Sequence, residues 1–219
     1  MKDYIQLAHQ YAKDVVEGRI PACQWTILAC QRQINDLARQ LVDPNFPYVF
    51  NPELVDSAGK KFFPAVRICL FAELQPHIKG DWAARGMRIR LEPWQCFFLT
   101  SAFGWVHRET GKRRFRVVDL VVPRKNAKST IAAVIGLYML AVDGEHGAEV
   151  YSGATSRDQA MEVFRPARLM ASGKPGAEFR ARFGVLVNKT NLSVVDTNSK
   201  FEPVIGNPGD GASPSCATV

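Results

Sequence analysis

The chain has 219 residues, 47% hydrophobic and 22% charged, a composition that excludes a disordered or collagen-like polymer and allows one large domain or one domain with an appendage. Lys plus Arg number 28 against 21 Asp plus Glu, and the net charge of +7 favours an anionic partner such as nucleic acid or phosphate while saying nothing about fold. Met1-Lys2-Asp3 leads into polar residues rather than a secretory apolar stretch, and the longest apolar run, Ile131 to Val142, is shorter than the roughly 20 residues a bilayer requires.

From Ile5 to Val16 apolar residues recur at helical spacing (Ile5, Ala8, Tyr11, Ala12, Val15, Val16), and Gly18 stops the run. Pro21 suits the start of a second helix, with Trp25, Leu28, Ala29, Leu37 and Leu41 on or near one face. Three prolines break Pro44 to Pro52 into a connection, and Asn51 is placed to cap a short third helix from Pro52. Ala65 to Leu74 reads as another helix. The texture changes near Met87, so a helical N-terminal region over 1–86 and a second domain over 87–219 are expected.

In the second region Met87-Arg88-Ile89-Arg90-Leu91 alternates like a strand or an extended lead-in, and Pro93 suits the first turn of a helix carrying Trp94, Phe97, Phe98 and Ala102. Arg114 to Val122 is β-branched, ends at Pro123, and reads as a buried strand. Ser129 to Val142 is apolar nearly all round, which predicts a helix buried against a sheet. Ala148 to Ala154 reads as a strand. Ser156 and Gln159 have capping-box spacing and open a helix to about Met170. Val185 to Val187, Leu192 to Asp196 and Phe201 to Ile205 read as short strands separated by turns. Strand, loop, helix, strand, helix is the order of an α/β parallel sheet flanked by helices. Five Cys without a C-x-x-C pair read as reduced, mostly buried thiols, and the four His have no zinc-like spacing.

The informative segment lies between the predicted strand and helix: Pro123-Arg124-Lys125-Asn126-Ala127-Lys128-Ser129-Thr130. A phosphate loop needs backbone N–H groups at a helix N-terminus, a Lys that reaches the β- and γ-phosphates and a hydroxyl for Mg²⁺. Lys128 and Ser129 meet the last two needs. Val122 and Ala127 occupy the two positions where the pattern G-x-x-x-x-G-K-[ST] has glycine. The alternative is a solvated basic turn in which Ser129 is an ordinary N-cap. The basic cluster of Arg108, Lys112, Arg113, Arg114, Arg116, Arg124, Lys125 and Lys128 raises a DNA-phosphate surface, against the alternative of exposed charged faces.

Taken in order, Leu91-Glu92-Pro93-Trp94-Gln95, Phe103-Gly104-Trp105, Arg113 to Arg116, Pro123 to Ser129, Asp143-Gly144-Glu145 and Ala154 to Ala160 resemble the large terminase subunit of tailed bacteriophages. Gly18 to Cys23 and Pro47 to Phe50 extend the resemblance over nearly the whole chain. It implies a P-loop NTPase-type parallel sheet in a viral DNA-packaging motor that hydrolyses ATP with Mg²⁺ to drive double-stranded DNA into a capsid. The portal protein, the terminase small subunit and a homo-oligomeric ring on the portal are the implied partners, in the cytoplasm of the infected bacterial host and without a membrane. A C-terminal nuclease with an RNase H-like fold is implied for the family and is absent from these residues. Lys128 is implied to contact phosphates, Ser129 to help hold Mg²⁺ and Arg124 to act in cis on the γ-phosphate. Trp94 and Gln95 match an adenine site, although Gln95 could equally be an ordinary exposed helix residue. Pro123, Lys125, Asn126, Ala127 and Thr130 are implied to complete the nucleotide contacts. Ala127 stands where the family has Gly, and a backbone with φ > 0 there would be strained.

Hydrolysis also needs an Asp-Glu pair after a strand. Asp196 is a superficial candidate, but Thr197-Asn198-Ser199 reads as a hairpin turn and no Glu adjoins it. In the family the acidic pair follows a stretch like Gly209 to Val219. The expectation is an N-terminal part of a terminase, ending before that pair, with an incomplete sheet, weak hydrolysis and a tendency to aggregate through a cut strand at Ala217 to Val219. Another P-loop ATPase of helicase type and a non-catalytic basic DNA-binding protein are the competing readings.

Overall fold

The computed structural model describes residues 2–206. Among them α1 (Tyr4–Val16), α2 (Gln24–Val42), β1 (Tyr48–Phe50), β2 (Leu54–Val55), β3 (Lys61–Phe62), α3 (Pro64–Leu74) and α4 (Gly80–Ala84) precede α5 (Pro93–Gly104) and β4 (Trp105–His107). After these come α6 (Lys128–Ala141), β5 (Glu149–Ala154), α7 (Arg157–Ala171), α8 (Ala177–Phe183), β6 (Val185–Val187), β7 (Leu192–Val194) and β8 (Ser199–Ile205). No helix among the described residues is long and apolar enough to cross a membrane. The chain divides into two compact units, Met1–Leu70 with Arg90–Asp119, and Phe71–Ile89 with the chain from Leu120 on.

In the first unit α1 packs on α2 and α5. Ala12, Val15 and Cys30 form a buried cluster that Tyr11, Ile34 and Phe97 cover. Burial pushes the Cys30 thiol up to about 11, consistent with the inert, reduced cysteines read from the sequence. Cys69 and Cys96 are buried too, Cys23 is exposed, and Cys216 lies outside the described residues.

Three sequence expectations fail in this unit. The connection at 44–52 carries β1, which pairs antiparallel with β4, Tyr48 opposite His107 and Phe50 opposite Trp105. No helix starts at Pro52, because Asn51 is left-handed (φ 50°) and its side-chain oxygen accepts instead from the Ala65 N–H at 2.9 Å, capping α3 from fourteen residues away. Residues 54–62 form the small β2–β3 hairpin. The apolar residues of α2 do not define its buried face either. Trp25 and Leu41 are 79% and 81% exposed, while Gln33 and Asp36 are buried. The reason is pairing with remote groups. Trp105 Nε1 donates to Gln33 Oε1 at 2.7 Å, and Arg114 Nη1 donates to Asp36 Oδ2 at 2.7 Å.

In the second unit the sheet runs β5-β8-β7-β6, with β5 and β8 parallel and the other pairs antiparallel. The α/β class holds, and this sheet is mixed. Helices α6 and α7 pack on β5 and β8 and on each other. Successive strand residues face opposite ways, so Val150 and Ser152 of β5 are buried while Glu149 is exposed. Ser152 Oγ donates to the Ala160 carbonyl, tying β5 to the first turn of α7. Phe201 of β8 meets Phe164 of α7 edge-on at 5.5 Å between ring centroids.

Gly136 lets α6 approach β8. A Cβ built there would lie 2.6 Å from Phe201 Cε1, closer than real side chains approach. Gly136→Ala should therefore destabilise the protein by about 1–2 kcal/mol, overpacking outweighing the helix preference for Ala. Urea denaturation measures it, and a stabilised variant would show that Phe201 yields without cost.

The predicted buried strand at 114–122 is not formed. The segment joins no sheet among the described residues, and Val117 and Val121 are 79% and 93% exposed. Its β-branched composition makes it competent for pairing, but a strand forms only against a neighbour that supplies the ladder hydrogen bonds. The expected strand at Ala217 to Val219 lies outside the described residues.

Candidate nucleotide-binding site

Helix α6 begins at Lys128, one residue earlier than its apolar pattern suggests, and its N-cap is Ala127, in the left-handed region at φ 55° and ψ 24° with no side-chain cap. Ser129 is thus the second residue inside the helix and not its cap, which removes the ordinary-cap alternative and leaves its hydroxyl free of that task. The Ile131 N–H bonds the Ala127 carbonyl at 2.9 Å. The N–H groups of Lys128, Ser129 and Thr130 therefore have no acceptor within the helix, and they stand at the positive end of its dipole. Lys125 is left-handed too, at φ 70°. Left-handed residues alternating with others curl backbone N–H groups toward one point, an arrangement that suits an anion.

Side chains close the loop on itself. Lys128 Nζ donates to the carbonyls of Val122 at 2.6 Å and Pro123 at 3.0 Å. An ammonium has three N–H donors, so one remains for an anion in the loop. Asn126 Nδ2 donates to the Pro123 and Arg124 carbonyls at 3.2 and 3.3 Å. Both residues engage carbonyl oxygens that would otherwise repel a phosphate. Residues Pro123 to Ala127 are exposed, and Lys128, Ser129 and Thr130 are half-buried. The role of Asn126 in bracing the loop had no signal in the sequence, because amides at turns are common and their targets depend on backbone shape.

Trp94 and Gln95 belong to the first unit, on the first turn of α5, and the loop belongs to the second. Gln95 is buried rather than exposed, and its Oε1 accepts from the Glu92 N–H at 3.0 Å in a capping box with Pro93 inside it. Asp196 sits in the exposed turn between β7 and β8, followed by left-handed Asn198 (φ 51°), as the hairpin reading expects. Two members of the basic cluster have partners within the protein. Arg108 donates to the carbonyls of Phe46 and Gln40, and Arg114 is committed to Asp36. Among the described residues no group of three or more His, Cys, Asp or Glu is placed to hold a metal ion.

The strain at Ala127 is testable. A left-handed residue costs a Cβ-bearing side chain on the order of 1–2 kcal/mol, partly offset by the greater freedom of Gly in the unfolded chain. Gly also suits an N-cap better than Ala. Ala127→Gly should raise stability by about 1 kcal/mol in a denaturant titration, and a lowered midpoint would show that the loop does not hold this conformation in solution.

Comparison with known proteins adds to this geometry. The family model for the terminase large subunit, ATPase domain, matches residues 93–215, more than half of the chain. Among solved structures the chain is similar to the crystal structure of the HK97 bacteriophage large terminase, at 23% identity and a TM-score of 0.49. That likeness covers 68% of this chain and 29% of that one, so the chain spans less than a third of that terminase. No curated protein matches the chain. The segment matched by the family model begins with Pro93 on α5 and runs through the loop, α6, α7 and the sheet, and the chain belongs to the terminase large subunit family through its ATPase domain.

Proposed function

We propose that the loop from Pro123 to Thr130 binds the phosphates of ATP with Mg²⁺, and that the chain is the nucleotide-binding part of a DNA-packaging motor. The observation that carries this reading is the loop held shut by Lys128 at the head of α6, with helix N–H groups and one ammonium donor left for an anion. The residues fit the group. Lys128 balances phosphate charge, and the N–H groups of Lys128, Ser129 and Thr130 donate hydrogen bonds to its oxygens. The Ser129 hydroxyl is the residue that would hold Mg²⁺, which in such sites is otherwise bound by phosphate oxygens and water. Bound Mg²⁺ would neutralise charge on the phosphates.

Arg124, exposed at the start of the loop, is proposed on the family resemblance to add positive charge at the γ-phosphate. Lys125, Asn126 and Ala127 shape the loop. Trp94 and Gln95 are matched to an adenine role by the family resemblance alone, and Gln95 is held by its capping bond. Asp196, in a hairpin turn with no Glu beside it, is not proposed as the carboxylate that positions Mg²⁺. In the whole motor the work is translocation of double-stranded DNA through the portal in a ring of subunits, with the small subunit as partner, in the cytoplasm of the infected host.

A polyphosphate requirement tests the reading. With Mg²⁺ present, ATP and ADP should bind saturably and AMP should not. Equal binding of AMP would put recognition on the base and remove the loop from the site.

A further inference from the structure

Two side chains hold the start of the nucleotide loop, and they hold different parts of it. Lys128 Nζ reaches the carbonyls of Val122 at 2.6 Å and Pro123 at 3.0 Å and goes no further along the chain. Asn126 Nδ2 donates to the Pro123 carbonyl at 3.2 Å and to the Arg124 carbonyl at 3.3 Å. An amide nitrogen carries two N–H donors, so both are committed to the main chain. Among the described residues Arg124 makes no ion pair, and the one hydrogen bond that engages it is the bond its carbonyl accepts from Asn126. Its neighbours have conformations of their own. The ring of Pro123 sets φ there, and Lys125 and Ala127 are left-handed at φ 70° and 55°. Arg124 lies exposed between them, and the Asn126 amide is its support.

We propose that Asn126 is a positioning residue for Arg124: its amide fixes the main chain from which the Arg124 guanidinium meets the γ-phosphate, and it thereby sets a preference of the site for ATP over ADP. The proposal rests on the phosphate-binding reading above, including the γ-phosphate role of Arg124. A charge held in place before the ligand arrives stabilises it more than a charge that must first be ordered. Anchoring the main chain at Arg124 removes part of that ordering. The contacts that ADP shares with ATP depend less on Asn126, because Lys128 and the N–H groups of Lys128, Ser129 and Thr130 stand on α6. Loss of the amide therefore falls mainly on the γ-phosphate.

The test is calorimetric titration of Mg·ATP and, separately, Mg·ADP into the full chain as wild type, Asn126→Ala, Arg124→Ala and the double variant. Asn126→Ala should weaken ATP binding by roughly tenfold, within what the loss of two neutral hydrogen bonds allows, and ADP binding by about threefold or less. Because Asn126 acts through Arg124, the double variant should show the same ATP-to-ADP preference as Arg124→Ala alone. Asn126 is exposed, so the variant should fold, and circular dichroism checks that. Without nucleotide, trypsin should cut after Arg124 faster in Asn126→Ala than in the wild type, each rate taken relative to a synthetic peptide of the same local sequence. Equal losses for ATP and ADP, a further fall in preference in the double variant, an Arg124→Ala variant with the wild-type preference, or equal trypsin rates would each overturn the proposal and leave nucleotide binding standing. A wild-type chain that binds neither nucleotide would remove the phosphate-binding reading itself, and this proposal with it.

Discussion

Asp36→Ala should destabilise the chain by about 3 kcal/mol or more. Its carboxylate takes the Nη1 proton donor of Arg114 at 2.7 Å, with the two side chains 12% and 17% exposed. Removing one member of a buried pair leaves the other charge without a partner in a poorly solvated place, and that cost usually exceeds the net worth of the pair. Arg114 is enclosed by Phe46, Tyr48, Trp105 and Phe115, each with its ring centroid within 5.5 Å of the guanidinium carbon. It cannot reach water without giving up those contacts. Asp36→Asn keeps an acceptor and should cost less. Equilibrium urea unfolding of both variants measures this. A loss below about 0.5 kcal/mol for Asp36→Ala would mean that Arg114 swings free and the cage is not closed.

The same pair shows where sequence reading stops. Helices α1, α6 and α7 were legible because their apolar residues recur locally, and the cap of α7 was legible because Ser156 and Gln159 lie within one turn. The buried face of α2 was not, since it is polar and its partners Trp105 and Arg114 are more than seventy residues away. Asn51 looked like a local cap and serves a helix fourteen residues on. The stretch at 114–122 has strand composition, but pairing depends on a neighbour that composition cannot supply. In the candidate site, the left-handed backbone at Ala127 was readable from its position in the motif. The left-handed turn at Lys125 and the bracing amide of Asn126 depend on the folded backbone and left no mark in the residue pattern.

Lys128→Ala should abolish most nucleotide affinity. The variant loses the ammonium proposed to face the phosphates. It also frees the carbonyls of Val122 and Pro123, so the loop is no longer held closed. A charge-assisted hydrogen bond contributes about 1.5–3 kcal/mol, and the opening of the loop adds to that loss, so affinity should fall by roughly a hundredfold. Stability should change little, because the side chain is only half-buried and solvent reaches the freed carbonyls. A Lys128→Arg variant keeps the charge but not the compact three-donor head, and should recover only part of the affinity.

Calorimetric titration of Mg·ATP into the wild-type chain and into folded Lys128→Ala under identical conditions tests the nucleotide site most directly. Saturable binding by the wild type, weakened about a hundredfold or beyond detection in the variant, is the predicted result. Equal affinity in the two chains would contradict it and take the loop at the head of α6 out of nucleotide binding.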